Sequence, residues 1–408
     1  MEFLTVIFLI FLFIAIYFFS LNILISIHNK EKLFYSPKSK KKYSISFLVP
    51  AFNEEKTIKD TIEHIFKIEY PIKEVIVIND GSTDDTAKIV RSLMKNYSKL
   101  KLLNKKNEGR KAYAINYGLK EAKGELIAIT DSDSYPSPDS VEKMIGFFDE
   151  DKVAAVTSCV FLKNKNKFFE KIQEIEYVIL AWTRKLLDFL DSVYVTNGPL
   201  SIYKRSVLLE VGGFDTNSVT EDIEITWHIL SKGYKTRMSL GSTVYTTAPN
   251  KFGDWWRQRV RWGVGGIQTI FKYKKSFLKQ GIFGFFIIPF VSISIILSIL
   301  GFLFTTYLLI KNFFLNVLSA GYSISLKTSL ITVNNINTHP SIILIIVFIL
   351  FVLSFFYSSY VFREMEQKHI VKFSKVFNRL FYMFIYLTLY PIVWFDAIYK
   401  MVRKEYKW

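Results

Sequence analysis

Apolar residues fall along this chain in two rhythms. Four stretches, 3–27, 281–310, 341–362 and roughly 380–398, are almost unbroken runs of Phe, Ile, Leu and Val. As helices, each is long enough to cross about 30 Å of hydrocarbon. The first three carry no charge and have no polar face, which argues against buried core helices. The fourth differs, because it contains Pro391 and Asp396. Between residues 44 and 160 the runs are short. Residues 45–49 (ISFLV) read as a strand ended by Pro50. Residues 74–79 (EVIVIN) form a second strand, with its turn at Asp80-Gly81-Ser82. Residues 100–103 form a third, and 126–130 (LIAIT) a fourth that leads directly into Asp131. Between the strands apolar positions recur at helical spacing. Ile58, Ile62, Ile65 and Phe66 share one face over 55–68. Ile89, Val90, Leu93 and Met94 share another, behind a cap at Thr83 or Asp84. A third helix is expected over about 110–122.

This βαβαβαβ alternation predicts an α/β fold with a mostly parallel sheet and right-handed crossovers. Residues 160–250 are mixed, with a long helix over 168–190 and turns at Gly198-Pro199 and Gly212 to Asp215. Residues 251–280 concentrate Trp255, Trp256, Arg257, Arg259, Arg261, Trp262, Lys272, Lys274 and Lys275, the composition of a helix at a membrane surface. The expected organisation is an N-terminal anchor (1–29), an α/β domain (44–250), amphipathic interfacial helices (251–280) and a C-terminal membrane region of about three helices (281–408).

Charge adds an orientation. The chain has 408 residues, and 53 Lys and Arg against 36 Asp and Glu give a net charge of +17. Lys30, Lys32, Lys38 and Lys40 to Lys42 follow the first apolar stretch closely, so the positive-inside rule places the N-terminus outside and residues 30–280 in the cytoplasm. That stretch has no basic start and no small-residue cleavage site, which favours a retained anchor over a signal peptide. The positive charge suits an anionic bilayer surface. No nucleic-acid motif accompanies it, so no nucleic-acid partner is expected. One conflict stays open. Three spans after a cytoplasmic domain would put the basic tail, Lys400 to Lys404, outside. Either the last stretch lies in the interface or re-enters, or the tail disobeys the rule. A single cysteine, Cys159, excludes an intramolecular disulfide.

The candidate chemistry begins at Asp131-Ser132-Asp133. Two carboxylates spaced i, i+2 at the end of a parallel-type strand sit where α/β sheets bind ligands. Hard oxygen ligands suit Mg²⁺ or Mn²⁺ carrying a diphosphate, although a solvated Asp-x-Asp turn is the commoner meaning of such a triplet. Four more clusters accompany it: Pro50-Ala51-Phe52-Asn53-Glu54, Asp80-Gly81-Ser82-Thr83-Asp84, Thr220-Glu221-Asp222 and Gln258-Arg259-Val260-Arg261-Trp262. Each has a bland reading. Asp80 is also an ordinary turn residue before glycine. Thr220 with two acids is also a helix N-terminus. The aromatic and basic cluster is also a membrane belt, in which Trp255, Trp256, Arg257 and Arg259 fit. Gly263 to Gly266 follows no strand and is no dinucleotide fingerprint, and the five histidines show no zinc spacing.

Taken in order, the five clusters resemble the inverting family 2 glycosyltransferases. The Q-x-x-R-W pattern resembles that of the membrane-bound synthases of cellulose, hyaluronan, chitin and poly-N-acetylglucosamine. The resemblance covers about residues 44–265 and implies a GT-A fold, a nucleotide-sugar donor (a UDP-sugar) and Mg²⁺ or Mn²⁺. It implies that Asp133 binds the metal and that Asp131 lies near ribose and metal. Asp80 would read the nucleobase, beside the loop holding Pro50, Asn53 and Glu54. Residues 107–116 resemble the N-x-G-K-A-x-A-L-N segment with one extra residue. Lys111 fits its lysine best, and the inserted Arg110 leaves the choice between the two open. Asp222, flanked by Glu221 and preceded by the matching Gly212-Gly213-Phe214-Asp215, would be the base that takes the acceptor's proton. Gln258 and Arg261 would hold the diphosphate, and Trp262 would stack on the acceptor sugar.

The leading expectation is transfer to a growing β-linked polysaccharide. The runner-up is a single addition to a polyprenyl phosphate or glycolipid, because about four spans is few for a polymer channel unless the chain oligomerises, and because residues 363–377 hold no F-x-V-T segment. A non-catalytic scaffold would have lost its acids, and here all are present.

Overall fold

A computed structural model describes residues 2–325, 342–369 and 376–405; the 363–377 segment therefore lies partly outside the described residues. Two layers of helices enclose an eight-stranded sheet of order β3-β2-β1-β4-β7-β6-β8-β5. The strands are β1 (Ile45–Ala51), β2 (Ile72–Asp80), β3 (Leu100–Lys105), β4 (Leu126–Ile129), β5 (Ser134–Pro136), β6 (Val153–Leu162), β7 (Ser201–Lys204) and β8 (Lys235–Thr246). The first four are mutually parallel, β6 runs parallel to β8, and β7 inserts antiparallel between β4 and β6.

Strand residues alternate between two cores, as the twofold side-chain period requires. Phe47, Val49, Val75 and Val77 pack to one side, against α2 (Ile58–Phe66), α3 (Thr86–Leu93) and α5 (Glu142–Ile145). Leu48, Ile76 and Ile78 pack to the other, against α4 (Lys111–Glu121), α7 (Arg205–Glu210) and α8 (Glu221–Ser231). Each such side chain, fully buried, contributes about 1.5–3 kcal/mol.

Several sequence expectations shift. Pro50 does not end its strand; β1 continues through Ala51 in register with β2. The cap of α3 falls at Asp85, whose side chain makes no capping bond, while the Asp84 carboxylate accepts the Thr86 N–H at 3.0 Å. The long helix α6 (Phe168–Asp188) stops two residues short of the expected end.

The membrane-type helices are α1 (Glu2–His28), α10 (Ile288–Ser325), α11 (Ile342–His369) and a continuous run, Val376–Arg403, that contains α12 (Val376–Phe381) and α13 (Leu387–Arg403). All four are long and apolar enough to cross a bilayer. The aromatic-basic segment becomes one helix, α9 (Phe252–Lys272). The final run lies alongside it, with ring contacts from Trp255 to Tyr386 and Tyr390 at one end and Gly263 against Trp394 and Ala397 at the other. A third core joins α6, β6, β8 and α9 to α11 and the final run, so the α/β unit and the apolar helices share one interior.

Alpha9 also approaches the start of α8 closely. A Cβ placed on Gly265 would lie 2.0 Å from the Thr220 hydroxyl, so only glycine allows this packing.

Candidate active site

The carboxyl ends of β1, β2 and β4 open onto one edge, and the sheet reverses its winding between β1 and β4, the position at which open α/β sheets hold ligands. A cavity of about 1140 Å³ lies there. Pro50, Glu54, Asp80, Lys111, Asp131, Asp133, Glu221, Asp222, Gln258, Arg261 and Trp262 all line it. Residues more than two hundred positions apart thus meet around one space.

Asp80 ends β2 and pairs with Lys105 Nζ at 2.7 Å, its register partner on β3. Gly81, at φ +74°, turns the chain immediately afterwards. Asp131 and Asp133 stand on the turn after β4. The Asp131 carbonyl accepts the Ser134 N–H at 3.1 Å, and the Thr61 hydroxyl donates to the Ser132 carbonyl at 2.8 Å. Burial, with Asp131 and Glu54 nearby, pushes the Asp133 carboxyl up to about 7. Two carboxylates crowded in this way are a donor set that a divalent cation fits. Among the described residues no group of three or more His, Cys, Asp or Glu converges. Part of such a cation's shell would therefore come from phosphate oxygens and water, as is usual for Mg²⁺.

Lys111 opens α4 and spans the site. Its ammonium bonds the Asp131 carboxylate and lies 3.1 Å from Glu221 Oε1. Burial lowers the lysine's pKa, but the attraction of Asp131 and Glu221 outweighs it and the net shift is upward. Burial likewise raises Glu221, and Lys111 and Arg261 more than reverse it. Arg110 instead donates to the Asn217 carbonyl, so Lys111 is the cation that faces the acids. Asp222 follows Glu221. Its Oδ1 accepts the Ile223 N–H at 2.9 Å, which supplies the cap that Thr220 does not; Thr220 makes no side-chain capping bond. Burial and the neighbouring Glu221 push Asp222 up to about 6.

Asn53 is not among the residues that line the cavity. At φ +56°, its carboxamide accepts the Thr83 N–H at 2.8 Å and ties the loop after β1 to the loop after β2. Trp255 and Arg259 do not belong to a membrane belt: both are buried, Arg259 against Glu176 of α6.

The sequence reading passed over other lining residues. Tyr177 and Arg184 project from α6. Asn197 and Gly198 come from the turn before β7, where a Cβ on Gly198 would meet Asp131 Oδ2 at 2.7 Å. Asn116 clamps the Gly213-Phe214 turn through both backbone groups of Phe214, at 2.7 and 2.8 Å. The available signal was a long helix carrying Glu174, Glu176, Arg184, Lys185 and Asp188 among apolar residues, which is costly unless those groups are partnered or used.

Residues 46–212 match the family described as Glycosyl transferase family 2. Poly-β-1,6-N-acetyl-D-glucosamine synthase of Staphylococcus aureus (strain COL) is 32% identical over 255 residues, 62% of this chain and 62% of that protein. The synthase of the same name from Staphylococcus epidermidis is 33% identical over 252 residues, 61% of each. This chain thus matches a little over three-fifths of the length of these relatives. Among solved structures, mannosyltransferase PcManGT from Pyrobaculum calidifontis, in complex with GDP-Man and Mn²⁺, aligns with a TM-score of 0.60 at 18% identity, over 97% of this chain and 99% of that one. The chain thus has the GT-A fold of that mannosyltransferase, with a set of apolar helices joined to its α/β unit, and over residues 46–212 it is similar to the family 2 glycosyltransferases.

Lys111→Met leaves Asp131 and Glu221 facing each other with no cation between them. Its side chain is about a quarter exposed, so the loss is discounted to about 1–3 kcal/mol. Thermal unfolding of the full chain in detergent should fall by several degrees, and Lys111→Arg should recover most of it.

Proposed function

We propose that this protein is a membrane-embedded, inverting glycosyltransferase that moves a sugar from a nucleotide-diphosphate donor to a growing β-linked polysaccharide. The observation that carries this reading is the continuity of the cavity. It begins at Pro50, Asp80 and Asp131, passes Asp222 and Trp262, and reaches Phe290, Val291, Ser294 and Ile295 of α10 and Val393 and Trp394 of α13. A donor pocket that opens beside the apolar helix α10 suits an acceptor that is passed on towards the membrane. The named relatives support N-acetylglucosamine as the transferred sugar, and the resemblance supports UDP as its carrier.

In this reading Asp222 accepts the proton of the acceptor hydroxyl while that oxygen attacks the anomeric carbon from the face opposite the leaving group. The glycosidic bond to the diphosphate breaks and its electron pair leaves with the nucleotide. Lys111, Arg261 and Gln258 stand where charge builds on the departing diphosphate. Asp131 and Asp133 would hold Mg²⁺ or Mn²⁺, which supplies further neutralisation of that charge when bound. Asp80 and the loop holding Pro50 and Glu54 take the nucleoside. Trp262 offers its ring to the acceptor sugar.

The reading extends to the membrane. Alpha1, α10 and α11 cross, and the α/β domain faces the cytoplasm beside the lysines that follow α1. The final run lies along the membrane face instead of spanning it. Its packing beside α9 supports this, as does Asp396, an acid costly in hydrocarbon, which accepts a bond from Trp256 Nε1 at 2.7 Å. The tail from Lys400 to Lys404 then stays inside, and the conflict with the charge rule disappears. Buried Cys159 is the chain's one native thiol, so a Lys404→Cys variant can be read alone. A membrane-impermeant maleimide should label it only after permeabilisation. Labelling in intact cells would mean that the final run crosses.

The full chain in detergent, given labelled UDP-N-acetylglucosamine and Mn²⁺, should yield a size ladder of products, and EDTA should abolish it. A product that carries only one added sugar on lipid would replace the polymer reading with single addition. The rate should rise about tenfold per pH unit below about pH 6, where Asp222 holds its proton, and level off above it. Asp222→Asn should lose at least about a thousandfold in rate, together with this pH limb, while UDP affinity by calorimetry stays within about twofold.

A further inference from the structure

Glu176 lies mid-way along α6 and is 1% exposed. Four donor atoms converge on its carboxylate. Arg259 of α9 gives Nε at 3.0 Å and Nη2 at 2.5 Å, Tyr386 gives its hydroxyl at 2.5 Å, and Tyr390 gives its hydroxyl as well. Three segments distant in sequence therefore meet at one buried acid. Replacing such a buried pair by well-packed apolar residues is often neutral or stabilising, so stability alone does not account for it.

Its second sphere of contacts points to the cavity. Arg259 Nη1 donates to Gln258 Oε1 at 2.5 Å, and the guanidinium lies 4.1 Å from the centre of the Trp262 ring. Gln258 and Trp262 both line the cavity. With its oxygen held by Arg259, the amide of this cavity-lining glutamine keeps its NH₂ group as a donor for a phosphate or hydroxyl oxygen. The Tyr386 hydroxyl also accepts the Trp255 indole N–H at 2.5 Å, which pins α9 at a second point.

We propose that Glu176 is a positioning residue for the transfer reaction: acting through Arg259, it sets the amide of Gln258 and the ring of Trp262, and through Tyr386 and Tyr390 it fixes both against the final helix. The proposal rests on the transferase reading above and adds to it a requirement that lies outside the five motif clusters. Glu176 touches no reacting atom in this scheme. Its effect reaches the site through Arg259 and through the two tyrosines of the final helix, of which Tyr390 lines the cavity.

The test is a double-mutant cycle in the full chain, with UDP-N-acetylglucosamine and Mn²⁺ as probes. Glu176→Gln should lower kcat at least about tenfold and weaken UDP binding no more than Gln258→Ala does. Added to Gln258→Ala, it should cost no more than about a further twofold, because both changes remove one function. Glu176→Asp should restore part of the rate. Unchanged kcat in Glu176→Gln, losses that multiply with Gln258→Ala, or UDP affinity falling further than in Gln258→Ala would each overturn the proposal. If Glu176→Gln does not fold, Tyr386→Phe keeps the ion pair and lies outside the cavity lining. It should lower kcat about threefold, again without adding to Gln258→Ala, and a wild-type rate there overturns the proposal equally. Absence of transfer by the wild-type chain would instead defeat the transferase reading itself.

Discussion

The site depends on keeping acids close together in a space with little water, and Lys111 makes that possible. Asp131 and Glu221 arrive from opposite parts of the domain and share its ammonium. Without a cation between them, two carboxylates in a poorly solvated pocket would take up protons or move apart. The consequence is a division of labour among neighbours. Glu221 stays ionised beside Lys111, whereas Asp222, one residue on, is pushed towards neutrality by burial and by Glu221 itself. Asp133 is pushed the same way by burial and by its acidic neighbours, the condition under which an incoming cation stabilises a site most. Environment has thus given chemically similar side chains different roles.

A second constraint sits beneath the cavity. Alpha9 reaches the site from the side of the apolar helices, and a helix on a surface is free to roll or slide unless something fixes its register. Glu176 supplies a charge-assisted anchor, Gly265 allows contact with Thr220, and Gly263 allows contact with Trp394. The side chains that close the cavity are therefore placed by interior packing and not by the bilayer. The sharing of one core by α6, α9 and the final helix has the same effect, since a shift of any one would open voids beside the others.

Much of this was legible along the chain. The strands, the crossover helices and the apolar spans follow from periodicity, because a twofold or 3.6-fold rhythm is a local property and burial enforces it. The acids at the ends of β2 and β4 were legible too, because strand ends in a parallel sheet gather at one edge whatever the rest of the chain does. Other features were not. The bond from the Thr83 N–H to the Asn53 carboxamide depends on a left-handed backbone that the motif does not announce. Trp255 and Arg259 have the composition of a membrane belt yet face inward, because their one-turn spacing on α9 places both towards α6 and the final helix.

What the sequence determined by itself was the set of chemical groups and the local elements that present them: five clusters, their strand ends and helix starts, and the apolar stretches. What only the tertiary structure decided was which groups meet. Lys111 was separated from Arg110 by a contact to Asn217 that no spacing encodes. Glu176 was one acid among several on a long helix until Arg259, Tyr386 and Tyr390 converged on it. The reason is physical. Propensity and periodicity act over a few residues, whereas desolvation and charge pairing act between whichever groups the fold brings within a few ångströms, and those lie far apart in the chain.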